Sequence, residues 1–213
     1  RTAWYSKGVS DETTGGAFDG ADDEDATWGG AAVTFPRIQG ADVAGIVVAL
    51  GAGCDPALMG KRVMIDTWLR DWDAPMDLDK CGYFGSECDG GFAEYTCIDQ
   101  RHVHVVNSDM SDVEIASFAT SYITAENMLN RADVGAGDTV LIPGASGGVG
   151  SALIQLANRR GARTIAMCSP AKADGVTAMK PTAILPRSPA NLKAALREAI
   201  GADTVTVVAD VVG

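Results

Sequence analysis

Thr139-Val-Leu-Ile-Pro-Gly-Ala-Ser-Gly-Gly-Val-Gly150, running on into Ser-Ala-Leu-Ile-Gln-Leu-Ala-Asn-Arg-Arg160, is the stretch on which the fold turns. Val140 to Ile142 is a short apolar run that reads as a buried strand. Gly144 to Gly150 is a glycine turn. Leu153, Ile154, Leu156 and Ala157 then recur at helical spacing until Gly161, and a second apolar run, Thr164-Ile-Ala-Met-Cys168, follows at once. Strand, glycine loop, helix, strand is a βαβ unit. A tight turn off a strand end needs residues that tolerate unusual backbone angles, as glycine does. Backbone that approaches a pyrophosphate closely leaves no room for a Cβ, and the helix start offers free N–H groups and a positive dipole end. The fingerprint is Ala145-x-Gly147-x-x-Gly150, with Ala in the first glycine position. Its place after a strand and before a helix points to a dinucleotide. No Lys-Ser/Thr pair follows the loop, so it is not the phosphate loop of an ATPase.

Working outward, the chain has 213 residues, 46% of them hydrophobic, enough for one large or two modest domains. Its net charge of −11 argues against nucleic acid and anionic membrane as partners. No apolar run approaches the ~20 residues of a membrane span, and no signal peptide opens the sequence. Five cysteines at irregular spacing fit reduced thiols, hence a cytoplasmic protein, better than a disulfide framework. The opening on Arg1 and the closing strand Val205–Ala209 suggest a fragment. Ser6–Thr34 reads as a long exposed loop around the acidic run Asp19–Asp25, whose spacing is not that of a calcium loop.

From Phe35 the texture becomes β-rich. Asp42–Leu50 reads as a strand with Gly45 as a bulge, followed by Gly60–Asp66, Gly90–Ile98 and His102–Val106, together a compact β domain or barrel. His102 and His104 are placed on that last strand as packing or surface residues, and Trp68–Tyr83 as irregular. Ser111 and Glu114 form a capping box, with helices around Ile115–Ala119 and Thr124–Arg131. After Cys168 come a helix over Pro170–Ala178, a strand Thr182–Leu185, a helix Asn191–Ile200 and the strand Val205–Ala209. Pro181, in Met179-Lys-Pro-Thr182, ends its helix abruptly.

Four stretches in this order carry a resemblance. They are Gly40-Ala-Asp-Val-Ala-Gly45 with Val48-Ala-Leu-Gly51, Gly60-Lys-Arg-Val63, Asp89-Gly-Gly-Phe-Ala-Glu-Tyr95, and Val140–Ala162 with Asp210-Val-Val-Gly213. The chain resembles the medium-chain dehydrogenase/reductase family, and its glycine loop looks most like the quinone-oxidoreductase side. The resemblance implies an α/β protein: a partial GroES-like β domain over 1–110, interrupted by the acidic insertion 6–34, then a partial Rossmann-type doubly wound parallel sheet over 111–213. It places the active site in the cleft between them and implies a homodimer in the full-length protein. The substrate is then a small molecule.

The zinc members carry a His where this chain has Ala41 and a Cys where it has Thr120, and neither replacement is a zinc ligand. Cys81 and Cys88 alone fall in the region where the structural zinc needs four cysteines. No zinc is expected. An NAD enzyme places a carboxylate at the end of the second strand, where this chain has Cys168. Ser169, Lys172 and Arg187 suit a 2′-phosphate instead, so NADP(H) is favoured over NAD(H). By position Thr124 matches a residue near the nicotinamide and Val149 one that backs the ring, while the loop Ala145, Ser146, Gly147, Gly148, Val149 and Gly150 holds the pyrophosphate. Tyr5 matches a tyrosine that lines the active site, and Asp42 an acidic residue beside the lost zinc. The expected activity is NADPH-dependent hydride transfer to a quinone, enone or carbonyl. The rivals are a zinc-dependent alcohol dehydrogenase and a non-catalytic cofactor-binding remnant. A short-chain dehydrogenase is set aside because no Tyr-x-x-x-Lys follows Gly150.

Overall fold

The computed structural model describes residues 36–75, 77 and 80–211. The insertion 6–34 and Tyr5 lie outside the described residues. The chain divides into two compact units, Arg1–Ala119 and Thr120–Gly213.

The first unit carries β1 (Ala44–Ile46), β2 (Arg62–Ile65), β3 (Trp68–Leu69), β4 (Gly82–Tyr83), β5 (Val103–Val105) and helix α1 (Asp112–Ala116). β2 is the centre of an antiparallel sheet of order β1-β2-β5. Val63 and Ile65 point to one side of β2 and are buried, as period-two geometry requires. Arg62 fastens this sheet to the approach to α1. Its guanidinium donates to Asp112 Oδ1 at 2.7 Å, to the Ser108 carbonyl at 2.8 Å and to the Met110 carbonyl at 2.6 Å.

Four expectations are corrected here. Gly45 pairs in regular register with Val63, so it is no bulge, and only Ala44–Ile46 of the run 42–50 is strand. Trp68–Tyr83 is not wholly irregular, because β3 and β4 form a two-stranded antiparallel ribbon. His102 ends a 3₁₀ turn, Gln100–His102, ahead of β5, while His104 is on the strand and exposed. Gly90–Ile98 is not a strand. The N–H groups of Gly90, Gly91 and Phe92 donate to the carbonyls of Ile38, Gly40 and Gln39 in an irregular crossing. A Cβ on Gly90 would lie 2.3 Å from the Gly40 carbonyl oxygen. The glycine pair allows backbone to press on backbone, which bends the chain out of a pleat.

The second unit is a βα alternation: α2 (Ala119–Arg131), β6 (Thr139–Ile142), α3 (Gly148–Arg159), β7 (Arg163–Cys168), α4 (Ala173–Thr177), β8 (Ala183–Pro186), α5 (Leu192–Ile200) and β9 (Val207–Val208). The four strands form one parallel sheet of order β8-β7-β6-β9. Both faces are buried. Val140 and Ile142 join the cluster that includes Leu129, Leu153, Ile154 and Ala157, whereas Leu141, Ile165 and Met167 join Leu185 and Leu196. A strand covered on both sides reads as a continuous apolar run, and this is why Val140–Ile142 and Thr164–Cys168 were legible. Gly161 and Gly201 stop their helices at φ +81° and +73°. The break at Pro181 is held by Asn158, whose amide nitrogen donates to the carbonyls of Met179 and Lys180 at 3.1 and 3.0 Å. The Thr164 hydroxyl donates to Asn158 Oδ1 at 2.9 Å and fixes that amide.

The capping box is present. Ser111 N–H donates to Glu114 Oε2 at 2.8 Å, and Glu114 N–H donates to the Ser111 hydroxyl at 3.3 Å. The Ser111 hydroxyl and N–H hold the Glu114 carboxyl below the ordinary carboxylate range. A depressed carboxylate contributes stability above its unfolded pKa and loses it as pH falls through the folded value. Ser111→Ala is therefore expected to lower the urea midpoint at neutral pH. The gap to the parent chain should narrow in acid as Glu114 protonates, and a gap independent of pH would contradict the reciprocal cap.

Candidate functional site

The glycine loop leaves the end of β6 and delivers the chain to α3. Gly144 sits at φ +65° and makes the first turn. Ala145 is fully buried, and its N–H donates to the Met167 carbonyl at 3.1 Å, so the loop is tied to β7. Gly147 is the N-cap of α3 and supplies no side-chain cap. Helix geometry leaves the first-turn N–H groups without partners inside the helix, at the positive end of the dipole. Gly147 and Gly148 are exposed. This is an anion cradle of backbone donors on an open surface.

Two glycines let the helix sit that close. A Cβ on Gly150 would meet the Gly144 carbonyl oxygen at 2.4 Å and Ala145 Cα at 2.7 Å. A Cβ on Gly148 would meet Ser121 Oγ of α2 at 2.5 Å. Gly150 thus closes the packing of helix on strand, Gly148 the packing on α2, and Gly147 leaves room for a ligand. The turn function assigned to the first fingerprint position falls to Gly144. Sequence reasoning left Gly144 out of the site because the motif was aligned on Ala145, and the Pro143-Gly144 pair was the available signal.

The strand order sets the location. From β6 the chain moves outward through β7 to β8, then returns to the other side of β6 as β9. The order reverses at β6, and ligands of open α/β sheets bind at such a switch point, beyond the carboxyl ends of the strands. The glycine loop follows β6, Ser169 follows β7 and Arg187 follows β8, all at that end. Ser169 caps the 3₁₀ turn Pro170–Lys172 with its hydroxyl unused in the cap. Lys172 and Arg187 are exposed, and among the described residues neither joins an ion pair. Residues 145–150, Ser169, Lys172 and Arg187 therefore share one edge of the second unit. Thr124 is exposed on α2, one turn beyond Ser121, while Val149 is partly buried against the core. These residues fit a dinucleotide: uncapped donors for a pyrophosphate, a glycine floor and cations near the end of β7.

Asp42 is exposed in the first unit and is not brought together with these groups within either unit. Ala41 and Thr120 stand where the zinc members carry His and Cys. Among the described residues no group of three or more His, Cys, Asp or Glu comes together to hold a metal. All five cysteines are free thiols. Cys81 is buried and donates to the Asp77 carbonyl at 3.3 Å, and burial pushes the Cys88 thiol above its ordinary value.

The chain is similar to known oxidoreductases. The alcohol dehydrogenase GroES-like domain family matches residues 13–108. The 2-methylene-furan-3-one reductase of Solanum lycopersicum is 32% identical over 123 residues, 58% of this chain and 29% of that protein. An NAD-dependent alcohol dehydrogenase of Sulfolobus acidocaldarius is 30% identical over 132 residues, 58% of this chain and 38% of that protein. A crystal structure of a putative alcohol dehydrogenase from Sinorhizobium meliloti is 46% identical at a TM-score of 0.77, over 85% of this chain and 50% of that one. The chain thus spans half or less of the length of these three proteins.

Gly150→Ala is expected to destabilise the second unit by about 1–3 kcal/mol, the usual cost of overpacking. Gly135→Ala, where a Cβ meets nothing within 4 Å, serves as control. Equal urea midpoints for the two variants would show that the helix start is not close-packed.

Proposed function

We propose that this chain, which belongs to the medium-chain dehydrogenase/reductase family, is part of an NADPH-dependent oxidoreductase that reduces a quinone, enone or carbonyl compound without zinc. The observation that carries the reading is the exposed, uncapped start of α3 at the switch point of the sheet. A bound nicotinamide dinucleotide supplies the hydride. The chain's own residues bind and orient. Backbone N–H groups of Ser146, Gly148 and Gly150 hold the pyrophosphate, with Ala145 as the buried anchor and Gly147, whose own N–H donates to the Gly144 carbonyl at 2.9 Å, as the open floor. Val149 supports the ring. Ser169, Lys172 and Arg187 receive the 2′-phosphate, a charge that a carboxylate at position 168 would repel.

With Ala41 and Thr120 in place of zinc ligands, polarisation of a carbonyl falls to hydrogen-bond donors. Thr124 and Tyr5 are the candidate donors, and Asp42 takes the place of an acidic residue beside the lost zinc site. The family likeness and the resemblance of the loop support the enone and quinone class, and the reductase of Solanum lycopersicum is a named relative of that class. A catalytic domain 1–110 and a nicotinamide domain 111–213 remain our assignment of the chain. A homodimer of the full-length protein and a cytoplasmic place complete the proposal, the latter supported by five free thiols. Among the described residues no helix is long and apolar enough to cross a membrane.

A second reading, NAD-dependent alcohol oxidation, draws on the likeness to the Sulfolobus acidocaldarius enzyme. Calorimetric titration with each cofactor separates the two. NADPH is expected to bind at least about tenfold more tightly than NADH, which is ~1.4 kcal/mol. Lys172→Ala should remove most of that preference and leave NADH binding unchanged, and preference for NADH would overturn the phosphate site. Metal analysis of the purified chain is expected to return less than one zinc per chain with no loss of cofactor binding on chelation. Stoichiometric zinc would return the assignment to the alcohol dehydrogenases.

A further inference from the structure

The first unit holds a second cavity, of about 490 Å³, that the nucleotide reading does not use. Its described lining includes Leu69, Arg70, Trp72, Ile98, Asp99, Arg101 and His102. A volume of this size is typical of small-molecule sites, which combine apolar walls with a few placed polar groups. His102 is 3% exposed, yet among the described residues its Nδ1 has no hydrogen-bond partner. Arg70 Nε is likewise buried without a partner. An unmet polar group in the interior costs about 1–3 kcal/mol, and here two line one cavity.

Trp72 is the hinge of the arrangement. Its ring lies 5.3 Å from the His102 ring, tilted by 55°. The guanidinium of Arg70 sits 5.5 Å from the ring centroid and that of Arg101 5.2 Å from it. Trp72 is 37% exposed and forms the outer wall. Neither guanidinium is spent. Arg70 gives one terminal nitrogen to Asp66 at 3.0 Å. Arg101 gives Nε and Nη2 to Asp99 at 3.0 and 2.6 Å, which leaves its other terminal nitrogen. Each cation is paired with its own Asp, so a carboxylate here is recognised by the guanidinium N–H groups left over and not by a net positive field.

We infer that this cavity binds a small monocarboxylate with an apolar body. The carboxylate accepts from the free N–H groups of Arg70 and Arg101 and from the His102 imidazole. The apolar body lies against Leu69 and Ile98, and a change of rotamer at Trp72 opens the two buried nitrogens. The site lies wholly in the first unit and is independent of the nucleotide reading.

The chain has only two histidines, so imidazole NMR correlation spectra of the full chain read the site directly, with exposed His104 as internal control. On titration with benzoate, the His102 signals are expected to move saturably and those of His104 to stay. Benzamide, isosteric but neutral, should bind about tenfold more weakly, since charge-assisted hydrogen bonds are roughly twice as strong as neutral ones. Arg101→Gln is expected to weaken benzoate by at least about fivefold, in line with loss of one such bond. Any of three results would overturn the site: an unmoved His102, equal binding of benzoate and benzamide, or full affinity in a folded Arg101→Gln chain. Should that variant lose its fold, the benzoate and benzamide comparison on the parent chain decides alone.

Discussion

The second unit depends on one contact that a side chain would forbid. Gly150 brings the first turn of α3 against the Gly144 carbonyl, where a Cβ would stand at 2.4 Å. The contact sets the angle at which the helix leaves the loop. It also seats Leu153, Ile154 and Ala157, all fully buried, on the face of the sheet that carries Val140 and Ile142. The same close approach holds the helix start at the switch point with its first donors uncapped. Packing and ligand geometry are thus one constraint. The residue that best satisfies the core is the one that leaves the anion cradle open.

The first unit solves a similar problem with a different cluster. Gly40 at φ +101° and Gly85 at φ +84° turn the chain, and Gly90 lies against the Gly40 carbonyl. Arg37 and the Ile38 N–H both donate to Asp89 Oδ1, at 3.3 and 3.1 Å, and staple the two crossing segments. The bonded crossing holds Gly40-Ala41-Asp42 where regular β pairing would have swept it into a strand. Asp42 is consequently presented from a rigid, non-repetitive stretch, where functional groups are commonly placed.

Legibility followed burial. The parallel strands were readable because both faces of the sheet are covered, so Val140–Ile142 and Thr164–Cys168 contain little polar interruption. Helix ends were readable because Ser111, Gly161 and Gly201 act through local chemistry. The ribbon of β3 and β4 was not. Each strand has two residues, and their pairing across an Asp-rich loop is a long-range fact with no periodic trace. Gly90–Ile98 misled for the opposite reason, since its apolar and aromatic content resembles a strand while Phe92 and Tyr95 are 70% and 74% exposed. In the site, the loop from Ala145 to Gly150 was legible as a motif, whereas the turn role of Gly144 emerged only from its backbone angle. The surroundings of His102 had no linear signal at all, because Arg70, Trp72 and Arg101 meet only after folding.

Charge placement ties the sheet edge to its chemistry. A chain of net charge −11 repels a polyanionic ligand at long range, so any site for one must be built from short-range terms. Seven cations are already committed to carboxylates among the described residues: Arg37, Arg62, Arg70, Lys80, Arg101, Arg160 and Arg197. Lys172 and Arg187 are among the described cations outside these pairs, and they follow the ends of β7 and β8. An exposed lysine without a partner contributes nothing to stability, and helices of five residues such as α4 need no cation to begin them. Screening limits the reach of each charge to roughly one Debye length, about 8–10 Å at physiological salt. The distant acidic surface is weakened over that span, so the groups nearest a ligand set the field that it meets. A net acidic charge is therefore compatible with an anion site at that edge of the sheet, because the few nearby groups and not the net charge set the balance there.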